Sequence, residues 1–264
     1  MRGRCQSMAD CLIEERPEEG VLLLRLNRPQ ARNALNTELR VALSETLRSA
    51  ANDGSTRVAV VTGDATAFAA GADITVVADE TPMGMHRLAF HKLWQDVADF
   101  PKPLIAAVNG YALGGGCELA LHADIIVAGK GASFGLPEVK LGIMPGAGGT
   151  QRLVRAVGKY RAFRLLMTGD IIDAEKAADW GLVSELAEDG EVLATALKMA
   201  GKIARLPPFA LEHIKETVLL GADLPLQSAI ALERKSYHML FDTADQKEGM
   251  KAFKEKRKPD FKGE

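Results

Sequence analysis

The chain alternates between short apolar runs and stretches in which apolar residues recur at helical spacing. Each apolar run ends at a polar or turn-forming residue, which is the pattern of a strand buried on both faces. Four such strands are predicted, at residues 21–26, 58–62, 104–108 and 124–128. Because helical stretches separate them, we predict an α/β fold built on a sheet that is covered on both sides.

The first predicted helix lies between the first two strands. Leu39, Leu43, Leu47 and Ala50 fall on one helical face, and Asn36 just before them is a candidate N-cap. This amphipathic pattern predicts a helix that packs on the sheet.

The last third of the chain reads as helix throughout, from residue 192 to residue 257. Thr243 and Gln246 fit a capping box for the final helix, and Pro259 lies just beyond its end. We therefore predict two regions. An α/β core with the active site spans residues 8–190, and a helical C-terminal region spans residues 191–264.

Composition narrows the possible functions. The 264 residues carry a net charge of −2, which argues against general nucleic-acid binding. No apolar stretch approaches the roughly 18 residues of a membrane span, so a soluble protein is expected. Residues 1–7 lack the apolar segment of a secretion signal. The alternative interpretation is that they are an extension that precedes a start at Met8.

Neither a metal site nor a disulfide framework is indicated. Cys5, Cys11 and Cys117 are odd in number and form no C-x-x-C pair, as is typical of a protein from the reducing cytoplasm. The histidines show no spacing typical of metal ligands.

Nucleotide-binding motifs are absent or incomplete. A P-loop is excluded before Gly129-Lys130, because Asp124 stands where its first glycine is required. Residues 145–151 resemble a dinucleotide fingerprint, but Gln151 replaces the last glycine and no acidic ribose-binding residue follows.

The most informative segment is the glycine run 114–116, which leads through Cys117 into Glu118 and a helix. Glycines at a helix N-terminus let a ligand approach unpaired N–H groups, which favours an anion or oxyanion pocket. The alternative is a plain turn into a helix, with Glu118 complementing the helix dipole.

Two further segments carry small or acidic residues among apolar ones. Glu138 follows a proline, and paired carboxylates from separate segments are typical of general acid–base chemistry. Residues 68–74 are mostly small, so a backbone N–H there can reach a ligand; alternatively they form a tight connection from strand to helix.

Together these segments resemble the crotonase (enoyl-CoA hydratase/isomerase) superfamily, in order and with its spacing, from about residue 12 to residue 262. The matching segments are Asn27-Arg28-Pro29 with Asn33-Ala34-Leu35, then 68–74, 103–120, 134–138 and 142–153. The resemblance implies a spiral of repeated ββα units followed by a helical trimerisation region. It also implies a homo-hexamer arranged as a dimer of trimers.

The same resemblance implies a catalytic site. The N–H groups of Ala72 and Gly115 would form an oxyanion hole for the thioester carbonyl. Glu118 and Glu138 would position and activate water, with Glu138 also protonating C2, and the N–H of Gly146 would help hold the water. No cofactor is implied, since coenzyme A is part of the substrate.

Glutamate at both positions is the pattern of hydratases, which reversibly add water to trans-2-enoyl-CoA to give 3-hydroxyacyl-CoA. The alternatives are a 3,2-enoyl-CoA isomerase of the same fold and a non-catalytic member that binds CoA or RNA. Residues 135–138, 142–145 and 259–263 resemble bacterial hydratases of phenylacetate breakdown, which act on 2,3-dehydroadipyl-CoA. Residues 75–94 should set the acyl-chain length.

Coenzyme A itself is expected to contact two parts of the chain. The tail at residues 251–262 has six bases and two acids. The resemblance implies that this tail lies beside a neighbouring subunit's active site and contacts the CoA bound there. The residues expected to contact CoA are Arg32, Ala70, Asp73, Ile74, Phe253 and Lys256.

Overall fold

A computed structural model describes residues 11–264. Residues 1–10, with Cys5, Met8 and the possible N-terminal extension, lie outside the described part. The strands in residues 11–264 are β1 (Leu12–Glu15), β2 (Gly20–Leu26), β3 (Thr56–Thr62), β4 (Ala67–Ala69), β5 (Leu104–Val108), β6 (Tyr111–Leu113), β7 (Ile125–Gly129), β8 (Ser133–Gly135), β9 (Ile171–Asp173) and β10 (Glu185–Ala187). The α-helices of the same residues are α1 (Thr37–Ala51), α2 (Pro82–Leu88), α3 (Phe90–Ala98), α4 (Gly115–His122), α5 (Gly149–Val157), α6 (Lys159–Thr168), α7 (Ala174–Asp179), α8 (Val192–Ala204), α9 (Pro208–Gly221), α10 (Leu226–Met239) and α11 (Ala244–Glu255).

The strands form two sheets. The larger has the order β1-β2-β3-β5-β7-β10 and the smaller β4-β6-β8-β9. Neighbouring strands are parallel except for the pairs β1/β2 and β8/β9. The chain passes from the larger to the smaller sheet at β3/β4, β5/β6 and β7/β8, and helices follow each pair. This repeated ββα winding confirms the spiral that the sequence resemblance implied.

All four predicted strands are present, as β2, β3, β5 and β7, and both faces of the larger sheet are covered. Side chains alternate between the faces along each strand. On one face, Leu22 and Leu24 pack in the core that includes α1. On the other, Val21 and Leu23 pack in a second core with α8, the first helix of the predicted C-terminal region.

Helix α1 forms as its apolar spacing predicted, with Leu39, Leu43 and Leu47 buried. The side chain of Asn36 accepts a hydrogen bond from the N–H of Leu39 at 3.0 Å, which confirms the predicted N-cap.

The predicted capping box of α11 forms only in part. The Thr243 hydroxyl accepts a hydrogen bond from the Gln246 N–H at 3.1 Å. The return bond is missing, because the Thr243 N–H donates to the Leu240 carbonyl instead. Within residues 11–264, the Gln246 side-chain oxygen is left buried without a partner. The capping-box prediction was therefore wrong in its second half.

The helices of residues 11–264 include none with the length and apolar character needed to cross a bilayer. In the same part of the chain, no cluster of three or more histidine, cysteine or carboxylate side chains is arranged to hold a metal ion.

Candidate active site

Glu118 lies in the first turn of α4 and is only 4% exposed. One of its carboxylate oxygens accepts hydrogen bonds from the N–H groups of Ala147 and Gly149, at 2.7 and 2.9 Å. Burial raises the pKa of this carboxyl, whereas the two amide bonds and the cation of Arg40 act in the opposite direction. The net result is a raised pKa of Glu118, and the two amide bonds from the loop before α5 fix the position of its carboxylate.

Glu138 reaches the same place from a different segment, the 3₁₀ helix Pro137–Leu141. It is half-buried, and one of its carboxyl oxygens is buried without a partner among residues 11–264. Burial raises the pKa of Glu138 to about 7; a hydrogen bond to its own backbone opposes the rise and the charge of Glu118 adds to it. This carboxyl can therefore hold or release a proton near neutral pH.

Gly114 brings the two segments close. A Cβ on Gly114 would lie 3.2 Å from a carboxyl oxygen of Glu138, and its φ of +50° with ψ of −126° is accessible only to glycine. Glycine at position 114 therefore allows the Glu138 side chain to come this close.

Both carboxyl groups line one cavity of about 280 Å³, together with the predicted amide donors Ala72 and Gly115 and the predicted water holder Gly146. The structure thus brings together all five residues for which a part in the chemistry was predicted. The rest of the wall is largely apolar and comes mainly from α3, the segment after Ala72 and the segment after Glu138.

The amides of Ala72 and Gly115 are neighbours. Ala72 forms a parallel bridge with Leu35, in which Leu35 donates to the Gly71 carbonyl and Asp73 donates to the Leu35 carbonyl. The Ala72 N–H lies between these two bonds and therefore faces away from Leu35. A Cβ on Gly115 would lie 3.3 Å from the Ala72 nitrogen, and Gly115 begins α4, where N–H groups lack helical acceptors.

Asn33 holds the segment that carries Ala72. Its side chain is fully buried, donates to the Ala67 carbonyl at 2.9 Å and to Asp64 at 3.1 Å, and accepts from the Arg28 N–H at 2.8 Å. The sequence analysis placed Asn33 in a family motif but gave it no role. Its buried, fully used amide indicates that it positions the backbone around Ala72.

His122 and Trp94 help to hold the backbone at Glu118. The sequence analysis gave neither residue this role. The His122 Nδ1–H donates to the Glu118 carbonyl at 2.8 Å, and its ring stacks on Trp94 with 5.2 Å between centroids. Burial and, to a smaller extent, the charge of Arg152 lower the pKa of His122 to about 4, although the hydrogen bond to the Glu118 carbonyl acts in the opposite direction. The ring is neutral at pH 7, so it serves here as a hydrogen-bond donor to backbone.

The residues expected to contact CoA are spread over two places. Ala70 and Ile74 line the cavity, while the exposed Arg32 lies over the Tyr111 ring, 5.9 Å from its centroid. Asp73 lies outside the cavity wall and pairs with Arg28 at 3.2 Å.

Phe253 and Lys256 lie at the end of α11, and neither lines the cavity of the two glutamates. Phe253 is 84% exposed. Their predicted contact requires a neighbouring subunit, so it stays a prediction.

The incomplete dinucleotide fingerprint at residues 145–151 has a different use in the structure. Its Ala147 and Gly149 amides bind the Glu118 carboxylate, and a Cβ on Gly149 would come within 3.0 Å of that side chain. Glycine at position 149 therefore allows this close contact.

A pair of backbone amides facing two carboxyl groups across an apolar cavity is typical of an acid–base enzyme that stabilises an oxyanion. Residues 16–264 match the family model described as "Enoyl-CoA hydratase/isomerase". The chain belongs to this family, as the sequence resemblance indicated.

Known relatives are similar over almost their whole length. The chain is 49% identical to the 2,3-dehydroadipyl-CoA hydratase of Escherichia coli (strain K12), over 93% of this chain and 96% of that protein. It is 46% identical to a probable mitochondrial enoyl-CoA hydratase of Dictyostelium discoideum, over 90% and 86%. The crystal structure of an enoyl-CoA hydratase from Bacillus anthracis superposes with a TM-score of 0.93 at 37% identity, covering 96% of this chain and 100% of that one.

Proposed function

We propose that this protein is an enoyl-CoA hydratase, which reversibly adds water to a trans-2-enoyl-CoA to give a 3-hydroxyacyl-CoA. The observation that carries the proposal is the meeting of Glu118 and Glu138 with the amides of Ala72 and Gly115 in one cavity. The high identity to curated hydratases over nearly the whole chain supports it.

The amide pair acts on the thioester carbonyl. The N–H groups of Ala72 and Gly115 donate to the carbonyl oxygen, where negative charge grows as an oxygen attacks C3. Such donors are worth about 10²–10³ each in kcat where they have been removed in other enzymes. They polarise the conjugated double bond, which makes C3 electrophilic.

The two glutamates divide the proton transfers. Glu118 accepts two amide hydrogen bonds, which favour its carboxylate, so it takes a proton from the water as oxygen bonds to C3. Glu138 has a raised pKa and an oxygen without a partner among the described residues, so it gives a proton to C2. The amide of Gly146 helps to hold the water. Afterwards Glu118 and Glu138 exchange protons with solvent, which restores the starting state.

This division predicts the same pH profile of kcat/KM for the two directions. Hydration starts with Glu118 ionised and Glu138 protonated, and dehydration starts with the proton on Glu118 instead, so both directions use the glutamate pair with one proton. Because the reaction takes up no net proton and its equilibrium constant does not depend on pH, kcat/KM in both directions should fall about tenfold per pH unit above pH about 7. Initial rates in both directions across pH 5–9 measure this. A kcat/KM for hydration that stays level above pH 7 would contradict the assignment of Glu138.

Loss of the enoyl chromophore of crotonyl-CoA on adding the protein tests the reaction itself. Product analysis with a 3-enoyl-CoA distinguishes the isomerase alternative from the hydratase. An isomerase moves the double bond of this substrate, whereas a hydratase does not. Tight RNA binding without turnover of any enoyl-CoA would favour the non-catalytic alternative instead.

Finer features of the function are also proposed. We propose 2,3-dehydroadipyl-CoA as a substrate, supported by 49% identity to the Escherichia coli hydratase of that name. We also propose that the reaction uses no cofactor, since coenzyme A is part of the substrate. The place in phenylacetate breakdown and the cytoplasmic location stay predictions of the sequence resemblance, as does the division at residue 190.

The homo-hexamer is likewise a proposal. Helices α9 and α10 present exposed apolar side chains, among them Ile214, Val218 and Leu226, which are 59%, 63% and 71% exposed in the single chain. Apolar surface of this extent supports burial between subunits. A dimer of trimers would also place Phe253 and Lys256 beside a neighbouring site.

A further inference from the structure

Arg40 projects from α1 into the wall of the active-site cavity. Its guanidinium lies over the Phe90 ring, 4.3 Å from the ring centroid. Across residues 11–264 its side chain has no hydrogen bond and no ion pair, and its Nε is buried without a partner. The mechanism above gives Arg40 no part in the proton transfers, so its charge needs another explanation.

Arg40 is half-buried with its Nε shielded from solvent, and such a guanidinium in an apolar wall is costly unless a partner satisfies its donors. The nearest catalytic carboxylate does not do this. Glu118 is close enough for the cation of Arg40 to lower the pKa of its carboxyl, but its bonded oxygen is occupied by the Ala147 and Gly149 amides. Arg40 therefore keeps a planar set of N–H donors free, held in place by the Phe90 ring.

The position of Arg40 along a bound substrate follows from the proposed function, on which this inference rests. Coenzyme A is too large to enter a cavity of about 280 Å³, so the acyl chain must point inwards from the amides of Ala72 and Gly115. C2 and C3 then lie beside the two glutamates. Arg40 and Trp94 line both this cavity and a small cleft that Leu43 also borders, so we place the acyl chain beyond C3 next to Arg40.

We propose that Arg40 binds a carboxylate at the far end of the acyl chain, which makes the preferred substrates CoA monothioesters of unsaturated dicarboxylic acids. A carboxylate accepts two parallel hydrogen bonds from a guanidinium, a stronger and more directional contact than one with a neutral group. The apolar wall around Arg40 excludes water from this contact and so strengthens it.

Binding of saturated acyl-CoAs tests this without depending on catalysis. Adipyl-CoA and hexanoyl-CoA have equal chain lengths and differ in the terminal carboxylate. By titration calorimetry, the wild type should bind adipyl-CoA about tenfold or more tightly than hexanoyl-CoA. Arg40→Leu should remove this preference, and Arg40→Lys should keep part of it. Arg48→Leu, which removes a 62%-exposed arginine from the same helix, should keep it in full.

Two results would overturn the proposal: a wild type that does not prefer adipyl-CoA, or an Arg40→Leu variant that keeps the preference. Equal weakening of both ligands would assign Arg40 to the electrostatics of Glu118 instead. A retained preference in a protein that hydrates no enoyl-CoA would defeat the hydratase proposal while leaving the role of Arg40 intact.

Discussion

Glu138→Gln is expected to lower kcat for hydration of crotonyl-CoA by about 10³-fold, with a much smaller change in KM. Glutamine keeps the size of the side chain but cannot give a proton to C2, and positioned acid–base groups contribute about 10²–10⁴ in rate. The measurement is steady-state loss of enoyl absorbance at several pH values. Because the group that titrates near pH 7 is removed, the fall in rate above that pH should also disappear.

Glu45→Gln is the matched control, because Glu45 is an exposed glutamate on α1 outside the cavity. It should keep the wild-type rate and pH profile. A Glu138→Gln enzyme within a few-fold of wild type would remove Glu138 from the proton transfer.

Glu118→Gln is expected to lower kcat by about 10²–10³-fold, since a neutral amide cannot take the proton from water. The fold around it should persist, because the glutamine oxygen can still accept from the Ala147 and Gly149 amides. Residual activity should show a second effect. Removing the negative charge of Glu118 lowers the pKa of Glu138, so the fall in hydration rate should begin at a lower pH.

The two effects of Glu118→Gln separate a catalytic role from a structural one. Circular dichroism and thermal unfolding should stay close to those of wild type if the loop before α5 keeps its bonds. Lost activity with a matching loss of folded protein would instead show that Glu118 only anchors that loop.

The larger sheet was predictable because its strands β2, β3, β5 and β7 are long apolar runs. The smaller sheet was not. Its strands are three residues long, and β6 has an exposed tyrosine at position 111, so neither length nor alternation marks them. Each short strand forms because the long strand before it places it beside a neighbouring short strand. That cause is tertiary and invisible in local sequence.

The site divides in the same way. Glu118 and Glu138 stood out because carboxyl groups are rare among glycine and apolar residues. The partners of Glu118 did not, since the Ala147 and Gly149 amides come from the backbone of a distant segment. Asn33 and Arg40 lay in polar-looking surroundings, and only burial shows what each one does.

The packing of α8 on the larger sheet bears on how the protein is made. Among residues 11–264, the cover of Val58, Val60, Ile105 and Val127 on that face comes from this helix, which is late in the chain. A nascent polypeptide that has emerged from the ribosome only as far as β10 would therefore expose a large apolar face of this sheet. We expect such a fragment to need a chaperone until α8 is synthesised.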